Sequence, residues 1–424
     1  MEGNTQNKGA WSWIPTLYFA EGFPYVLIVT VSVIMYKQLG MSNADATLYT
    51  GWLYLPWVIK PLWSPFVDII RTKRWWIMLT QFILGAGFAG IAFILPVSDY
   101  VRWTLAIFWL LAFSSATHDI SIDGFYMIGL DEGRQAFFAG IRNTAYRIAV
   151  IAGQGGLLML VGLIERRTGN TCTAWKSAFA IASAIMLSLA VYHTFALPAP
   201  EEERNGTVRA KSLMKGVLET FVTYFRKPHT VSALCFILFF RFAEAQLTKV
   251  SQLFLIDSLS DGGLGLTADQ VGLAQGTIGV IGLLAGGIIG GAAISKGGLG
   301  KWLWPMVIAI SLPDIVYVFL SWFPTQNMWI VSSCVFIEQA GYGFGFTAYT
   351  LFMIYFSRGV QKTSHYAIST GIMALGMMLP GMISGRLQQF MGYRYFFLWI
   401  MVSCSVTFIV SALIKFDHDF GKKN

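Results

Sequence analysis

Runs of about twenty apolar residues, each closed by a charged or Gly/Pro/Asn-rich break, recur along the chain at 14 to 36, 48 to 70, 75 to 95, 103 to 127, 143 to 164 and 177 to 197. A polar stretch from Pro198 to Thr230 follows, and the runs resume at 231 to 256, 268 to 293, 302 to 321, 329 to 355, 365 to 388 and 394 to 414. A hydrocarbon core about 30 Å thick needs about 20 such residues per helix, so each run is long enough to cross it. The pattern predicts an all-α membrane protein of twelve transmembrane helices. They form an N-terminal six-helix bundle over 1–197, a linker over 198–230 and a C-terminal six-helix bundle over 231–424.

Composition closes off a soluble alternative. With 55% hydrophobic and 12% charged residues in 424 and a mean hydropathy of +0.59, the chain has too little polar surface to clothe a water-soluble protein. The net charge of +8 does not point to nucleic acid, because the basic residues fall between apolar runs rather than along one stripe. They report orientation instead. Nineteen Lys and Arg fall on the side of the termini, against Lys37, Arg102, Arg166, Arg167 and Lys176 on the other, which predicts that both termini are cytoplasmic. Cys172, Cys235, Cys334 and Cys404 have neither metal-ligand spacing nor a disulfide framework. The start, MEGNTQNKGAWSW, lacks the basic and apolar regions of a removable signal, so the first run is expected to remain as a helix. In the linker, Leu213, Val217, Phe221 and Phe225 recur at four-residue intervals and predict a surface-lying amphipathic tether. Its Asn205-Gly206-Thr207 matches a glycosylation acceptor that a cytoplasmic location would leave unused.

The two halves are related. FAEG at Phe19 to Gly22 returns as FAEA at Phe242 to Ala245, an offset of 223 that also aligns the fourth span with the tenth. Such parallel repeats are expected where two halves rock about a central cavity.

Ionisable residues inside the runs carry the candidate chemistry, since each costs roughly 2.5 to 3.5 kcal/mol at a helix centre unless it meets water or a partner. Counting from the cytoplasmic ends at 1.5 Å per residue, Glu21, Lys60, Asp119 and Arg241 share a depth of roughly 10 to 15 Å. Asp119 and Asp123, four apart, share a helix face beside His118. They are candidates for carrying a proton, or for a fixed ion pair with Lys60 or Arg147. Arg241, Glu244, Thr248 and Gln252 make a polar stripe on the seventh helix, either a cavity wall or an internal Arg241 to Glu244 pair. Glu338 precedes the glycine run GYGFG, which allows close helix approach. Asp314 follows a proline, and Lys249 and Arg386 are expected to snorkel, so these three are taken as structural. Trp52, Tyr54, Trp57 and Trp63 surround Lys60 and offer stacking surfaces for a sugar ring or lipid-facing packing.

Three blocks carry a resemblance: LPWVIKPLWSPFVDIIRTKRWW, SSATHDISIDGF and AYRIA, with weaker echoes at RFAEA, FIEQAGYGFG and PGMISGRL. They resemble the AmpG-type muropeptide permeases, a branch of the major facilitator superfamily that includes acetyl-CoA transporters. The resemblance implies that fold and a monomer in the bacterial inner membrane. It also implies import of cell-wall-derived muropeptides or muramic and anhydromuramic amino sugars, with the proton gradient as energy source and no cofactor. On this reading Lys60, Arg147 and Arg241, with Glu338 and Trp57, bind a carboxylate-bearing amino sugar or sugar-peptide. Asp119, Asp123, Glu21 and Glu244 couple protons, and Asp68, Arg71 and Arg74 gate the cytoplasmic side. His118 stands where the family has glutamine, and Gly124 where it has alanine. The alternatives are a transporter of another solute (drug, sugar or acetyl-CoA), a membrane enzyme using His118 and Asp119, and a receptor without flux.

Overall fold

The computed structural model describes residues 2–130, 132–198, 210–359 and 361–422. Among these there is no strand. Eight segments are long and apolar enough to cross a membrane. Two of them, Ala268–Trp322 and Ser364–Leu413, are broken by Gly298 and Gly392 at φ 75° and 72°, a left-handed conformation that glycine adopts without steric cost. Each is therefore two rods. Two further rods, 43–70 and Met328–Phe356, complete a set of twelve among the described residues.

In chain order the rods are α1 (2–38), α2 (43–70), α3 (Lys73–Ile94), α4 (Tyr100–Gly129), α5 (132–168) and α6 (Thr171–Ala196). The linker helix α7 (Ala210–Phe225) is followed by α8 (230–256), α9 (268–297), α10 (299–322), α11 (Met328–Phe356), α12 (362–391) and α13 (393–413). Several are interrupted where the sequence weakens the helical hydrogen bonds. Proline-rich α2 opens at Leu53 and Tyr54, α8 opens at Phe240 and Arg241, and α10 tightens to a 3-10 turn at Leu312–Asp314 around Pro313. Wider π turns occupy Leu27–Val31, Ile151–Leu157 and Gly272–Gly279.

The chain packs as two compact units. The first holds residues 1–32 and 62–217, and the second 33–61 and 218–424. In the first unit Trp13, Ile14, Leu17 and Tyr18 of α1 pack on Ile122, Phe125 and Tyr126 of α4 and on Phe138 of α5, with Trp13 and Phe125 edge to face at 5.2 Å. Burial of these large rings supplies the cohesion of a bundle whose outer faces are apolar too.

In the second unit glycines set the spacing. A Cβ on Gly286 of α9 would overlap the Ala340 carbonyl of α11, and one on Gly343 would overlap the Leu283 carbonyl of α9. From the same run, Gly341 and Gly345 meet Ala309 and Ile310 of α10. GYGFG thus lets α11 press against α9 and α10 at backbone distance, as small residues do between membrane helices. Residues 33–61 join this unit by similar contacts, Gly51 against Met382 and Gly385 against Asn43. At this unit's end remote from the C-terminus, the buried carboxylate of Asp257 accepts from Asn43 Nδ2 at 2.9 Å and Tyr393 OH at 2.5 Å. It also pairs with Lys37 Nζ at 2.7 Å.

The acidic run and glycosylation motif of the linker, like the side chains of Leu213 and Val217, lie outside the described residues. In α7 the inward face is Phe221, as expected, and Tyr224, while Phe225 is exposed, so the last position of the expected stripe shifts by one residue. Tyr224 OH meets Ser369 Oγ at 2.9 Å, and just beyond α7 Lys227 Nζ donates to the Phe356 carbonyl at 2.6 Å. Loss of hydration holds Lys227 below the usual lysine pKa.

Candidate functional site

In the first unit the acidic residues of α1 and α4 come together. Glu21 lies beside Asp119 and Asp123, and its Oε2 is buried with no hydrogen-bond partner among the described residues. Asp123, one turn from Asp119, accepts from Tyr18 OH at 3.4 Å and pairs with Arg142 Nη2 at 3.2 Å. Arg142 also lies over the rings of Tyr18 and Tyr126, at 4.8 and 5.4 Å. The partner of Asp123 is thus Arg142 of α5, one residue before the apolar run that begins at 143, and not Lys60 or Arg147; α5 is already helical at Glu132. Arg147, five residues further along α5, is half-buried.

His118 faces elsewhere. It is fully buried, its Nε2 3.0 Å from Gln81 Nε2, while Gln81 Oε1 meets His193 Nδ1 at 2.9 Å and His193 Nε2 meets Thr16 Oγ1 at 3.0 Å. The chain of polar groups ties α4, α3, α6 and α1, and puts the His118 ring in the bundle core, bonded to Gln81. Gly124 also has a physical reason, since a Cβ there would stand 2.6 Å from Cε of the buried Lys73. Of the gate residues, Arg74 Nη2 donates to the Thr194 carbonyl at 2.7 Å, in the last turn of α6 where the helix dipole favours a cation. Arg71 is exposed, 6.0 Å from the Trp75 ring centroid, and the side chain of Asp68 lies outside the described residues.

In the second unit Arg241 marks the break in α8. Its guanidinium bonds Tyr342 OH and lies over the rings of Tyr342 and Phe346, at 5.2 and 5.0 Å. Glu244 accepts from Thr248 Oγ1 at 2.8 Å, so the bonds of each member of the candidate Arg241 to Glu244 pair go elsewhere. Glu244 meets Asp314 and Glu338 instead, with one carboxyl oxygen of each within 4.8 Å of the others. This is the one set of described residues with the donors and spacing for a metal ion. Asp314, taken above as structural, belongs to it. Lys249 does not snorkel: it is buried, with Nζ 3.3 Å from Thr50 Oγ1 and 5.4 Å from the Tyr54 ring centroid. Arg386 is exposed, as snorkelling requires. On α2, Trp57 is buried and Lys60 half-buried.

Twelve apolar rods, packed as two units that each bury a charged cluster, define a membrane transporter of the Major Facilitator Superfamily. Residues 16–383 match that family, and the chain belongs to it. The relatives it matches include AmpG-type transporters. It is 24% identical over 397 residues to the putative transporter AmpG 4 of Rickettsia conorii, across 91% of this chain and 92% of that protein. It is 24% identical over 421 residues to the anhydromuropeptide permease of Escherichia coli K12, across 96% and 80%. Among solved structures, the D-xylose-proton symporter matches with a TM-score of 0.72 at 11% identity, over 98% of this chain and 99% of that one. The nucleoside transporter NupG matches at 0.69 and 15%, over 95% and 99%. These two share the fold.

Proposed function

We propose that this protein imports cell-wall-derived muropeptides, or muramic and anhydromuramic amino sugars, across the bacterial inner membrane in symport with protons. It acts as a monomer with both termini cytoplasmic, and draws on the proton gradient rather than a bound cofactor. The observation that supports the coupling is the clustering of Glu21 with Asp119 and Asp123 on neighbouring helices, with Glu21 Oε2 buried and unpartnered, because like charges crowded away from water are relieved by binding a proton. Loading and losing that proton changes the charge of the α1 to α4 contact, which biases one bundle conformation over another. Asp123, tied to Arg142, holds α4 and α5 in register beside it. Glu244 is the corresponding acid of the second half.

The substrate's carboxylate is matched by cations held ready within the units. Arg241 is oriented by two aromatic rings and keeps a buried, unpartnered Nε, while Lys60 and Arg147 are half-buried. Trp57 supplies an apolar face for a sugar ring. The substrate class rests on the AmpG-type relatives, one of which is named an anhydromuropeptide permease. Proteoliposomes with an inward proton gradient should accumulate labelled anhydromuramyl peptide or N-acetylmuramic acid, competed by one another and not by neutral hexoses. Accumulation of neither, with uptake of a neutral sugar or a cationic drug, refutes the substrate assignment.

A further inference from the structure

Three carboxyl groups from three helices meet inside the second unit, and the bonds they accept come from neutral donors. Glu244, Asp314 and Glu338 are 5%, 3% and 3% exposed. Thr248 Oγ1 donates to Glu244 Oε1 at 2.8 Å, and Gln339 Nε2 to both oxygens of Glu338 at 3.1 and 3.0 Å. The Cys404 thiol donates to Asp314 Oδ2 at 3.6 Å. Arg241, three residues before Glu244, is engaged by Tyr342 and Phe346. Glu244 Oε2 is buried and has no hydrogen-bond partner among the described residues, while Thr248 occupies Oε1.

We propose that Glu244, Asp314 and Glu338 bind a hard cation of the size of Na⁺ or Ca²⁺. Oxygens sharing one such ion at about 2.3–2.6 Å lie at most about 5 Å apart, and these three lie within 4.8 Å. Three buried carboxylates with Arg241, near Glu244, as their counter-charge would still carry uncompensated negative charge, and burying it costs several kcal/mol, which one ion offsets. Mg²⁺ fits less well, because it demands near-octahedral geometry at about 2.0–2.1 Å and usually keeps several waters, whereas these three carboxyls are buried. The local backbone suits an ion as well. Glu244 lies in the first turn after the break at Arg241, and Asp314 closes the 3-10 turn of α10. Interrupted membrane helices are where transporters hold coupling ions. The glycines of α11 make the site possible by seating Glu338 at backbone distance from α10. This site is separate from the Glu21 and Asp119 pair, and its test needs no transported substrate.

The full-length protein, purified without sodium or calcium, is titrated with NaCl, CaCl₂, KCl and choline chloride at constant ionic strength and pH while thermal unfolding is followed by tryptophan fluorescence. Either NaCl or CaCl₂ should raise Tm saturably, and which one does so identifies the ion. Glu338→Gln and Asp314→Asn should weaken the half-saturating concentration at least tenfold, whereas Asp419→Asn in the exposed tail should not change it. Where a substituted protein does not fold, equilibrium dialysis of the unsubstituted protein with radioactive sodium or calcium decides, with about one ion per chain expected. No saturable shift and no bound ion overturns the proposal and leaves the carboxyls neutralised by protons alone. A shift that persists unchanged in Glu338→Gln and Asp314→Asn overturns it equally.

Discussion

Arg142 closes on Asp123 at 3.2 Å while its guanidinium covers the ring of Tyr18, so one α5 side chain joins α1, α4 and α5. The contact between Tyr18 and Asp123, at 3.4 Å, has a counterpart in the other unit. Arg241 and Phe346 each lie 223 residues further on, the offset of the sequence repeat, and they too are in contact, at 5.0 Å. Both halves therefore keep the same meeting point of their first and fourth helices and fill it differently. One holds acids and a tyrosine, the other a guanidinium between rings.

The Arg142 contact is planar as well as ionic, so charge alone should not replace it. Arg142→Lys keeps the cation but loses the flat face over Tyr18 and Tyr126. A thermal-stability cycle of Arg142→Ala and Asp123→Ala should give a coupling of about 1 kcal/mol, the size of a half-exposed pair reinforced by ring stacking. Arg142→Lys should recover less than half of it.

At the other end of the second unit, Asp257 gathers three donors, Lys37, Asn43 and Tyr393, that come from both halves of the sequence. Removing a buried carboxylate that satisfies three donors strands them. Asp257→Ala is expected to destabilise by about 3 kcal/mol, and Asp257→Asn by less, since the amide still accepts from Tyr393. Urea or SDS unfolding of the purified protein measures both. Because this cluster closes one end of the unit, a cysteine placed at 388 should also react faster with a soluble maleimide in the Asp257→Ala background.

Glycine spacing gives a prediction with opposite signs at neighbouring positions. Gly286→Ala drives a methyl into the Ala340 carbonyl, which should cost about 2–3 kcal/mol or abolish folding. Gly291, one turn and a residue further along the same helix, has nothing within 4 Å of its virtual Cβ. Gly291→Ala should therefore be neutral or stabilise by up to about 1 kcal/mol through helix propensity. Fluorescence-detected size-exclusion after a heating series separates the two.

Hydropathy made most rods legible because lipid imposes one simple rule, about twenty apolar residues, at each crossing. The second and tenth rods fall outside the eight most apolar segments, diluted by Pro56, Lys60, Pro61 and Asp68 in one and by Glu338 and the glycine run in the other. Their breaks and polar groups came through in the sequence, but not their partners. Asp123 was legible as a charge needing a base, yet Arg142 was hidden because a hydropathy boundary at residue 143 cuts off the polar first turns of α5, which are as helical as the rest. His118 looked like a companion of Asp119 because neighbours in sequence lie about 100° apart on a helix, enough to send one into the core and the other toward α1. Asp314 gave no local signal at all. Its meaning depends on α8, α10 and α11 converging, a tertiary fact that the glycines of α11 hinted at without specifying.

Proton coupling through Glu21 and Asp119 is tested most directly by separating accumulation from exchange in proteoliposomes. With labelled anhydromuramyl peptide, the unsubstituted protein should accumulate substrate under an inward proton gradient and also exchange it without one. Asp119→Asn, and to a similar degree Glu21→Gln, should lose gradient-driven accumulation at least tenfold while retaining substrate exchange, because each removes a carboxyl proposed to carry the proton and leaves the proposed substrate cations in place. Accumulation and pH dependence that survive intact in Asp119→Asn would contradict the account.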